Sequence, residues 1–327
     1  MFRPIAPVFV AIGLAAIGMI AVPQASAEDT ATASTPAVGD DPTGLARFMG
    51  DHPPEFDDPM EVMGRFKTAL EENDPAGMAV LLGLDPDAAV ASDDFKAHLA
   101  DIRDLADQLL VMRSPAEDRR ILVVGREVWP FPFPIVEIDG KWAFDTEAGL
   151  EEIVNRRIGE NELMAIETAR GYVAAQEDYW ATDWDGDGVP EYARRLISSP
   201  GAYDGLYWPD DPGIPESPGG AFVSDEDLPE EGEASGYFGY RYRILEGQGD
   251  EVAGGAYSYV INDNMIAGFG LIARPAEYGI TGVMTFIVNQ YGTVYEKDLG
   301  PDSAELADGI SLFDPDETWD IVTEVTE

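Results

Sequence analysis

Acidic side chains recur at every second position in one short stretch, Asp183-Trp184-Asp185-Gly186-Asp187-Gly188-Val189-Pro190-Glu191. Calcium takes about six to eight oxygen ligands in a flexible shell, and carboxylates and backbone carbonyls are its usual protein donors. In a tight loop, the side chains at the first, third and fifth positions can turn toward one centre. The stretch therefore predicts a calcium site with these ligands: Asp183, Asp185, Asp187, Glu191 and the carbonyl of Val189.

The spacing differs from that of an EF-hand loop. An EF-hand carries a bidentate Glu at the twelfth position, whereas Arg194 stands there in this chain. The stretch is more similar to the shorter calcium loops of secreted repeat and propeller domains, in which the closing acid comes earlier, as Glu191 does. Gly186 and Gly188 permit the positive φ values that wrap a backbone around an ion. The alternative is a solvated acidic turn that binds no ion.

Composition limits the chemistry available to this chain of 327 residues. It contains no Cys and two His, which excludes thiolate catalysis and Cys-ligated zinc and nearly excludes Ser-His-Asp triads and multi-His metal sites. Asp and Glu number 63 against 20 Lys and Arg, so the formal net charge is −43. A charge of this sign repels nucleic acid and anionic membrane surfaces, and it favours cations.

The N-terminus has the three parts of a secretory signal peptide. A basic start at Arg3 precedes an apolar run from Ile5 to Val22, and Ala25-Ser26-Ala27 supplies a small-residue cleavage site. The alternative is a membrane anchor, but prolines interrupt the run. We assign residues 1–27 to the signal peptide and residues 28–55 to a disordered tether rich in Thr, Ala, Asp and Pro. We expect a periplasmic or secreted protein whose mature chain has no transmembrane segment.

Residues 56–158 are predicted to form an N-terminal α+β domain. Three helices are expected first: one that opens at Asp58-Pro59, a short one that ends near Leu84, and one over about 92–113. Strands should follow at Arg120–Glu127, about 135–138 and Lys141–Asp145. Asp139-Gly140 is a hairpin turn signal between the last two strands.

Aromatic residues alternate with prolines over Trp129–Pro134, and this run must be extended without being a central strand. It is either an edge segment that packs its rings on a core or an aromatic ligand groove. Helices followed by a bent strand pair with an Asp-Gly-Lys-Trp turn at 139–142 resemble the cone-shaped fold of nuclear-transport-factor-2-like domains. That resemblance covers about residues 56–145 and implies a fold rather than a function, because the superfold hosts isomerases, hydrolases and binding modules.

A second α+β domain is predicted over residues 159–327. A helix from Thr146 should end at Gly159, and a longer helix over about 161–181 leads into the acidic loop. An irregular excursion, residues 200–236, is dense in Pro, Gly and acidic residues. Beyond it we expect an antiparallel sheet with strands at 237–246, 255–262, 266–274, 282–289 and 292–298, and then a short helix.

This second domain resembles the soluble head of type IV pilins and pseudopilins. Ala175-Gln176-Glu177-Asp178-Tyr179 matches the Ala-Gln-x-x-Tyr that ends the long helix of those heads, and residues 279–295 match their last hairpin. The resemblance implies a pilin-head-like order, a long helix followed by an antiparallel sheet. It does not imply a pilus, because no apolar stem of about 20 residues precedes this helix.

A more specific resemblance is carried by five runs: Trp129–Pro134, Phe144–Gly149, Asp185–Ala193, Asp204–Pro209 and Tyr278–Gly300. They are similar to the bacterial secreted family known as domain of unknown function 2950, over about residues 55–320. The resemblance implies an exported protein and supplies no activity.

The function expected from these features is that of a non-catalytic envelope module. Stabilised by calcium, it would present the 200–236 excursion to an envelope protein or glycan. Tyr203, Tyr207 and Trp208 are predicted to anchor that partner, since exposed aromatic residues are common binding anchors. The alternative is that these rings pack back onto the sheet. No catalytic residue is predicted, and the function class left open is a periplasmic hydrolase that uses acids such as Glu191 or a metal-bound water.

Signal-peptide cleavage after Ala27 gives the first testable prediction. Mass spectrometry of the exported protein should find an N-terminus at Glu28, because the small-residue site ends at Ala27. An intact Met1, or a product that remains embedded in the membrane, would contradict the prediction.

Overall fold

A computed structural model describes residues 45–209, 213–221 and 237–323. The predicted signal peptide, residues 28–44 of the predicted tether, and residues 210–212 and 222–236 of the excursion lie outside the described residues. The chain divides into two compact units, with the boundary between Val154 and Asn155. Each unit combines helices with antiparallel strands, which confirms the α+β class. Within the described residues, no helix combines the length and the apolar character needed to cross a membrane.

The first unit opens with four helices: α1 (Pro59–Glu71), α2 (Pro75–Leu82), α3 (Pro86–Ala91) and α4 (Asp93–Gln108). The first three begin in the same way, with an Asp cap followed by Pro. Asp58, Asp74 and Asp85 accept hydrogen bonds from backbone N–H groups of the first turn at 2.8, 2.9 and 2.7 Å. Pro fits the next position because its missing N–H would have no helical partner there. Helix α3 was not predicted.

A five-stranded antiparallel sheet follows, formed by β1 (Leu110–Ala116), β2 (Arg119–Val124), β3 (Trp129–Pro130), β4 (Ile135–Ile138) and β5 (Lys141–Phe144). The helix predicted to reach residue 113 is wrong at its end. Leu109 is already extended, with φ −160°, and Leu110 to Arg113 pair with β2. Because Leu and Val fit both a helical face and a strand, cross-strand pairing decides between the two. The turn predicted at Asp139-Gly140 is present, with φ of 53° and 78°.

The alternating run Trp129–Pro134 lies along β2. Strand β3 pairs with one part of β2, and β4 pairs with another part of it. Phe131 and Phe133 are buried, and they join a core that contains Phe66. The edge-segment interpretation therefore describes these two rings correctly.

Ordered structure begins before residue 56 within the described chain. Ala46–Phe48 forms a short 3-10 helix, Met49 bridges to Leu84, and Phe48 packs against the core of the first unit. The disorder predicted for residues 28–55 therefore does not extend to residues 45–55.

Helix α5 covers Thr146–Trp180 without interruption. The prediction that Gly159 ends a helix is wrong. Gly159 is not among the glycines with positive φ, whereas Gly83, which does end α2, has φ 72°. A glycine inside a helix costs about 1 kcal/mol relative to Ala, and the strong helix formers around Gly159 tolerate that penalty.

The second unit is built on a five-stranded antiparallel sheet in the order β14-β13-β12-β11-β6. Two shorter pairs, β7 with β8 and β9 with β10, accompany it. The bounds of its elements are β6 (Tyr240–Leu245), β7 (Gly247–Gln248), β8 (Tyr257–Ser258), β9 (Val260–Ile261), β10 (Asn264–Met265), β11 (Gly270–Pro275), β12 (Met284–Asn289), β13 (Tyr295–Asp298), α6 (Ser303–Gly309) and β14 (Asp320–Ile321). A 3-10 helix, Pro218–Ala221, precedes them.

Both faces of this sheet are covered, because its side chains alternate between two cores. Leu271 and Phe286 belong to the core that also contains Tyr172 of α5. Ile272 and Ile287, one position along, belong to a smaller core with Ala307 of α6 and Phe313. The period of two along each strand thus places α5 on one face and α6 on the other.

Two like charges lie opposite each other at the edge of this sheet. Glu296 on β13 is the cross-strand partner of Asp320 on β14. Burial raises the pKa of Glu296, and the negative charges of Glu162 and Asp320 raise it further. Like charges directly opposite on neighbouring strands are destabilising.

We expect Glu296→Gln to raise the free energy of unfolding at pH 7 by roughly 0.2–1 kcal/mol, toward the lower end because solvent screens the pair. A raised carboxyl pKa favours the folded state at acid pH, and this contribution disappears as the pH rises through that pKa. The gain from Gln should therefore vanish as wild-type glutamates protonate, below about pH 4. Denaturant unfolding at several pH values measures this difference.

Asp320→Asn is the matched variant, since it removes the same repulsion from the other strand. The double variant should gain less than the two single gains together. Strict additivity, or a gain from Glu296→Gln that persists at acid pH, would show that the pair does not interact.

Candidate functional site

The buried amide of Gln176, near the end of α5, positions the chain that leaves the acidic loop. Its Nε2 donates to the carbonyl of Ala193 at 2.8 Å, and its Oε1 accepts from the N–H of Ala193 at 2.8 Å. Nε2 also donates to the hydroxyl of Tyr172 at 2.9 Å, and that hydroxyl donates to the carbonyl of Gly270 at 3.0 Å. The side chain therefore holds Ala193 by both of its backbone groups.

Aromatic side chains fix the start of the loop. Trp184 Nε1 donates to the carbonyl of Tyr179 at 3.0 Å, and the Tyr179 hydroxyl donates to the carbonyl of Tyr203 at 2.7 Å. The Trp184 ring lies 5.6 Å from that of Tyr203 and 5.0 Å from that of Trp208. Burial, followed by the charges of nearby acids, raises the pKa of Tyr179, so its hydroxyl stays protonated and continues to donate.

Between these anchors, the three alternating aspartates converge. Carboxylate oxygens of Asp183, Asp185 and Asp187, one from each residue, lie within 4.8 Å of one another, and all three residues are exposed. Asp183 accepts from the N–H groups of Gly186 at 2.8 Å and Gly188 at 2.9 Å. Both glycines have positive φ, 75° and 89°, as the loop requires. The sequence therefore identified a real cluster of carboxylates.

The electrostatics of the cluster suit a cation. Hydrogen bonds from Gly188 and then Gly186 lower the pKa of Asp183, which keeps this carboxylate ionised. In the described part of the chain, no Lys or Arg forms an ion pair with any of the three aspartates. The donors are hard oxygens, which calcium prefers. The residues present therefore fit that ion in kind and in charge.

The two other predicted ligands are placed differently. Val189 donates its N–H to Asp187 Oδ1 at 2.7 Å. Glu191 lies outside the cluster of three, and its Oε2 accepts from the N–H of Met265 at 3.2 Å. Burial, and then the charges of Asp185 and Asp187, raises the pKa of Glu191. A ligand role for Glu191 and for the Val189 carbonyl remains a prediction.

Sequence reasoning missed one polar neighbour of the cluster. Asn264 Nδ2 donates to Asp187 Oδ2 at 2.8 Å across 77 positions of sequence. Asn262 and Asp263, both with positive φ, form the turn that brings Asn264 there. The sequence does not show that this turn lies beside the acidic loop.

A cleft of about 700 Å³ adjoins the cluster, and Asp185 and Glu191 are among its lining residues. Its aromatic lining comes from Tyr179, Trp184, Tyr192 and Tyr203. Two arginines also line it, and both are paired with acids. Arg194 contacts Glu246 at 2.8 and 3.2 Å, and Arg195 lies 3.8 Å from Asp204. The cleft thus combines aromatic side chains with an excess of carboxylates.

The predicted partner anchors are not exposed. Tyr207 and Trp208 retain 7% and 4% of their accessible surface, and Tyr203 is half-buried. Trp208 Nε1 donates to the carbonyl of Pro215 at 2.8 Å, while the N–H of Tyr207 donates to Leu196 at 2.9 Å. The prediction that Tyr207 and Trp208 face a partner is therefore corrected: these rings lie within the second unit, as the alternative interpretation held. Of the three, Tyr203 alone lines the cleft.

The fold and the loop define an α+β protein of two units with an acidic candidate metal centre in the second unit. A family model described as "Protein of unknown function (DUF2950)" matches residues 54–322, and the chain belongs to that family. Neither the comparison with curated proteins nor the comparison with solved structures gives a match. The resemblances to pilin heads and to nuclear-transport-factor-2-like domains are not confirmed by these comparisons.

Gln176→Leu should lower the free energy of unfolding by roughly 2–4 kcal/mol, because it leaves two buried backbone groups of Ala193 without partners. Denaturant unfolding measures the loss. Glu177→Ala, at the exposed neighbouring position, is the control and should stay within about 0.5 kcal/mol of wild type. Equal stability of the two variants would mean that the amide does not hold the loop.

Proposed function

We propose that the chain is an exported, non-catalytic module of the bacterial envelope, periplasmic or secreted. Its second unit is stabilised by calcium and presents an acidic, aromatic-lined cleft to a partner. The observation that carries this proposal is the position of Asp185, which belongs to the carboxylate cluster and also lines the cleft. An ion bound by the loop would therefore act on the same surface that a partner contacts.

Calcium would be held first by Asp183, Asp185 and Asp187, with Glu191 and the Val189 carbonyl as the further donors that the sequence predicts. When bound, the ion supplies positive charge that offsets the repulsion among the carboxylates. The chain itself supplies the rigid ends of the loop, through Tyr179 on one side and the Gln176–Ala193 pairing on the other. Extracellular calcium modules of this kind bind with Kd of about 10⁻⁴–10⁻³ M.

The partner surface in this proposal differs from the one first expected. Because Tyr207 and Trp208 are buried, the aromatic groups available to a partner are Trp184, Tyr192 and Tyr203 in the cleft. Aromatic faces beside hydrogen-bonding acids suit an envelope protein or a glycan. Nucleic acid is disfavoured, because the chain carries a formal charge of −43.

Asp185→Asn tests calcium binding while it preserves the geometry of the loop. Asn retains an oxygen that can accept from the Asp187 N–H, as Asp185 Oδ1 does at 3.1 Å, while one of the like charges is removed. Wild type should gain about 1.4 kcal/mol of stability at ten times Kd, from mass action alone. The variant should be at least as stable as wild type in chelator and should lose most of the stabilisation by calcium. Thermal unfolding with calcium, magnesium and chelator measures both quantities.

Asp178→Asn is the matched control, since Asp178 is an exposed acid in the last turn of α5 and is not part of the cluster. It should respond to calcium as wild type does. A wild-type response in Asp185→Asn, or loss of the response in both variants, would reject the assignment of the ion to this loop.

A carboxylate-dependent hydrolase is the second candidate, and the raised pKa of Glu191 favours it. A Glu with a raised pKa beside a second carboxylate in a cleft is the arrangement from which a general acid and its partner carboxylate are built. The two proposals exclude each other at this residue, because a neighbouring calcium ion favours ionised Glu191. Turnover of an envelope glycan that persists in chelator and is abolished by Glu191→Gln would establish the hydrolase.

A further inference from the structure

The first unit contains a cavity of about 110 Å³ that the proposed function does not use. Buried side chains of α1 and α2, Phe66, Met78 and Leu82, lie deepest in it. Asp101 of α4 is the exposed residue of its lining, whereas the others are buried or half-buried. Protein cores are close-packed and contain few voids larger than a water molecule. A space of this size in a small core therefore needs an explanation.

The lining of the cavity is mostly apolar. The walls are aromatic and aliphatic side chains, and the polar side chains in the lining are His98, Asp101 and the indole of Trp129. A buried water needs about two to four polar partners, and dry cavities of about 150 Å³ with similar walls admit benzene. The volume and the walls therefore match one small ring better than they match solvent.

The wall contributed by Trp129–Pro134 is held in place. The Phe131 ring contacts Phe66 edge-on, with centroids 4.8 Å apart, and it lies 5.7 Å from Phe133. The Phe133 ring lies against Gly149, where an added Cβ would come to 2.0 Å from the ring. Because position 149 is glycine, the Phe133 ring can lie there. The cavity beside it is therefore present without any rearrangement of this wall. Preformed apolar cavities with few polar groups are the usual form of a small-molecule site.

We propose that the first unit binds a small molecule with a single aromatic ring, which enters the cavity beside Ile102 and places its head group at Asp101. The head group is a hydrogen-bond donor, uncharged or cationic, because the carboxylate of Asp101 accepts hydrogen bonds and repels anions. The formal charge of −43 disfavours carboxylate ligands in the same way. The proposal follows the interpretation of the Trp129–Pro134 run as a ligand groove, and it restricts the ligand to a molecule with one aromatic ring.

Titration of the full chain with phenol, benzylamine and benzoate, followed by calorimetry and by chemical shifts of the Phe131 and Phe133 rings, tests the proposal. Phenol and benzylamine should bind saturably, and benzoate should bind more weakly by about tenfold or more, because its charge opposes that of Asp101. Asp101→Asn should reduce the preference for benzylamine over benzoate. Equal binding of all three probes, or no saturable binding of phenol and benzylamine, would overturn the proposal.

Filling the cavity distinguishes this site from general surface binding. Ile102→Phe adds a ring at the half-buried edge of the cavity and should weaken phenol binding by about tenfold or more, with an unchanged or higher melting temperature. Val80→Phe is the matched control, since it adds the same ring at a site 51% exposed on α2 and outside the lining. Ile102→Ala, which enlarges the space, keeps the test valid if Ile102→Phe does not fold. Unchanged phenol binding in both Ile102 variants would reject the cavity as the site.

Discussion

The amide of Gln176 is the contact on which the arrangement of the second unit depends. A buried amide must satisfy its donors and its acceptor, and this one does so by pairing with both backbone groups of Ala193 and with Tyr172. The pairing resembles one rung of a β-ladder made by a side chain, so it fixes the position of Ala193 along α5. Tyr172 extends the same network to Gly270 of β11. The acidic loop therefore begins at the end of α5 and ends at a residue that a side chain of α5 holds.

The candidate sites of the two units differ in their chemistry. In the second unit, carboxylates lie close together and are partly stabilised by backbone N–H groups, as at Asp183, or partly withdrawn from water, as at Glu191. Neither device removes the repulsion among the carboxylates, which is the property that the proposed calcium site uses. In the first unit, an apolar cavity is lined mostly by rings and alkyl groups. The two units therefore offer opposite chemistry, hard oxygen ligands in one and an apolar space in the other.

Local patterns predicted what depends on neighbours in sequence. Asp58-Pro59 gave the start of α1, the Asp139-Gly140 pair gave a hairpin turn, and alternating Asp residues gave the carboxylate cluster. The failures have different causes. Residues 110–113 suit both a helix and a strand, and pairing with β2 selects the strand. At Gly159, the strong helix formers on either side carry α5 through the glycine. The burial of Tyr207 and Trp208 depends on partners that a local pattern does not show.

For the candidate site, too, the sequence predicted only the features that depend on neighbouring residues. The three aspartates follow from spacing alone, but the Asn264 contact to Asp187 and the Met265 contact to Glu191 join positions more than 70 residues apart. No periodicity reports such contacts. Gln176 lies in the Ala-Gln-x-x-Tyr run, which the sequence marks as a resemblance to pilin heads. The resemblance does not show that the Gln176 amide pairs with Ala193.

The alternation of prolines in Trp129–Pro134 also has a consequence for self-association. Phe131 directs its N–H toward β2, where it donates to the carbonyl of Leu122 at 2.8 Å. In an extended segment the next positions on either side face the opposite way, and here those positions are Pro130 and Pro132, which have no N–H. Pro130 and Pro132 therefore offer no N–H donor to an incoming strand. An edge of this kind lowers the risk of aggregation with other chains.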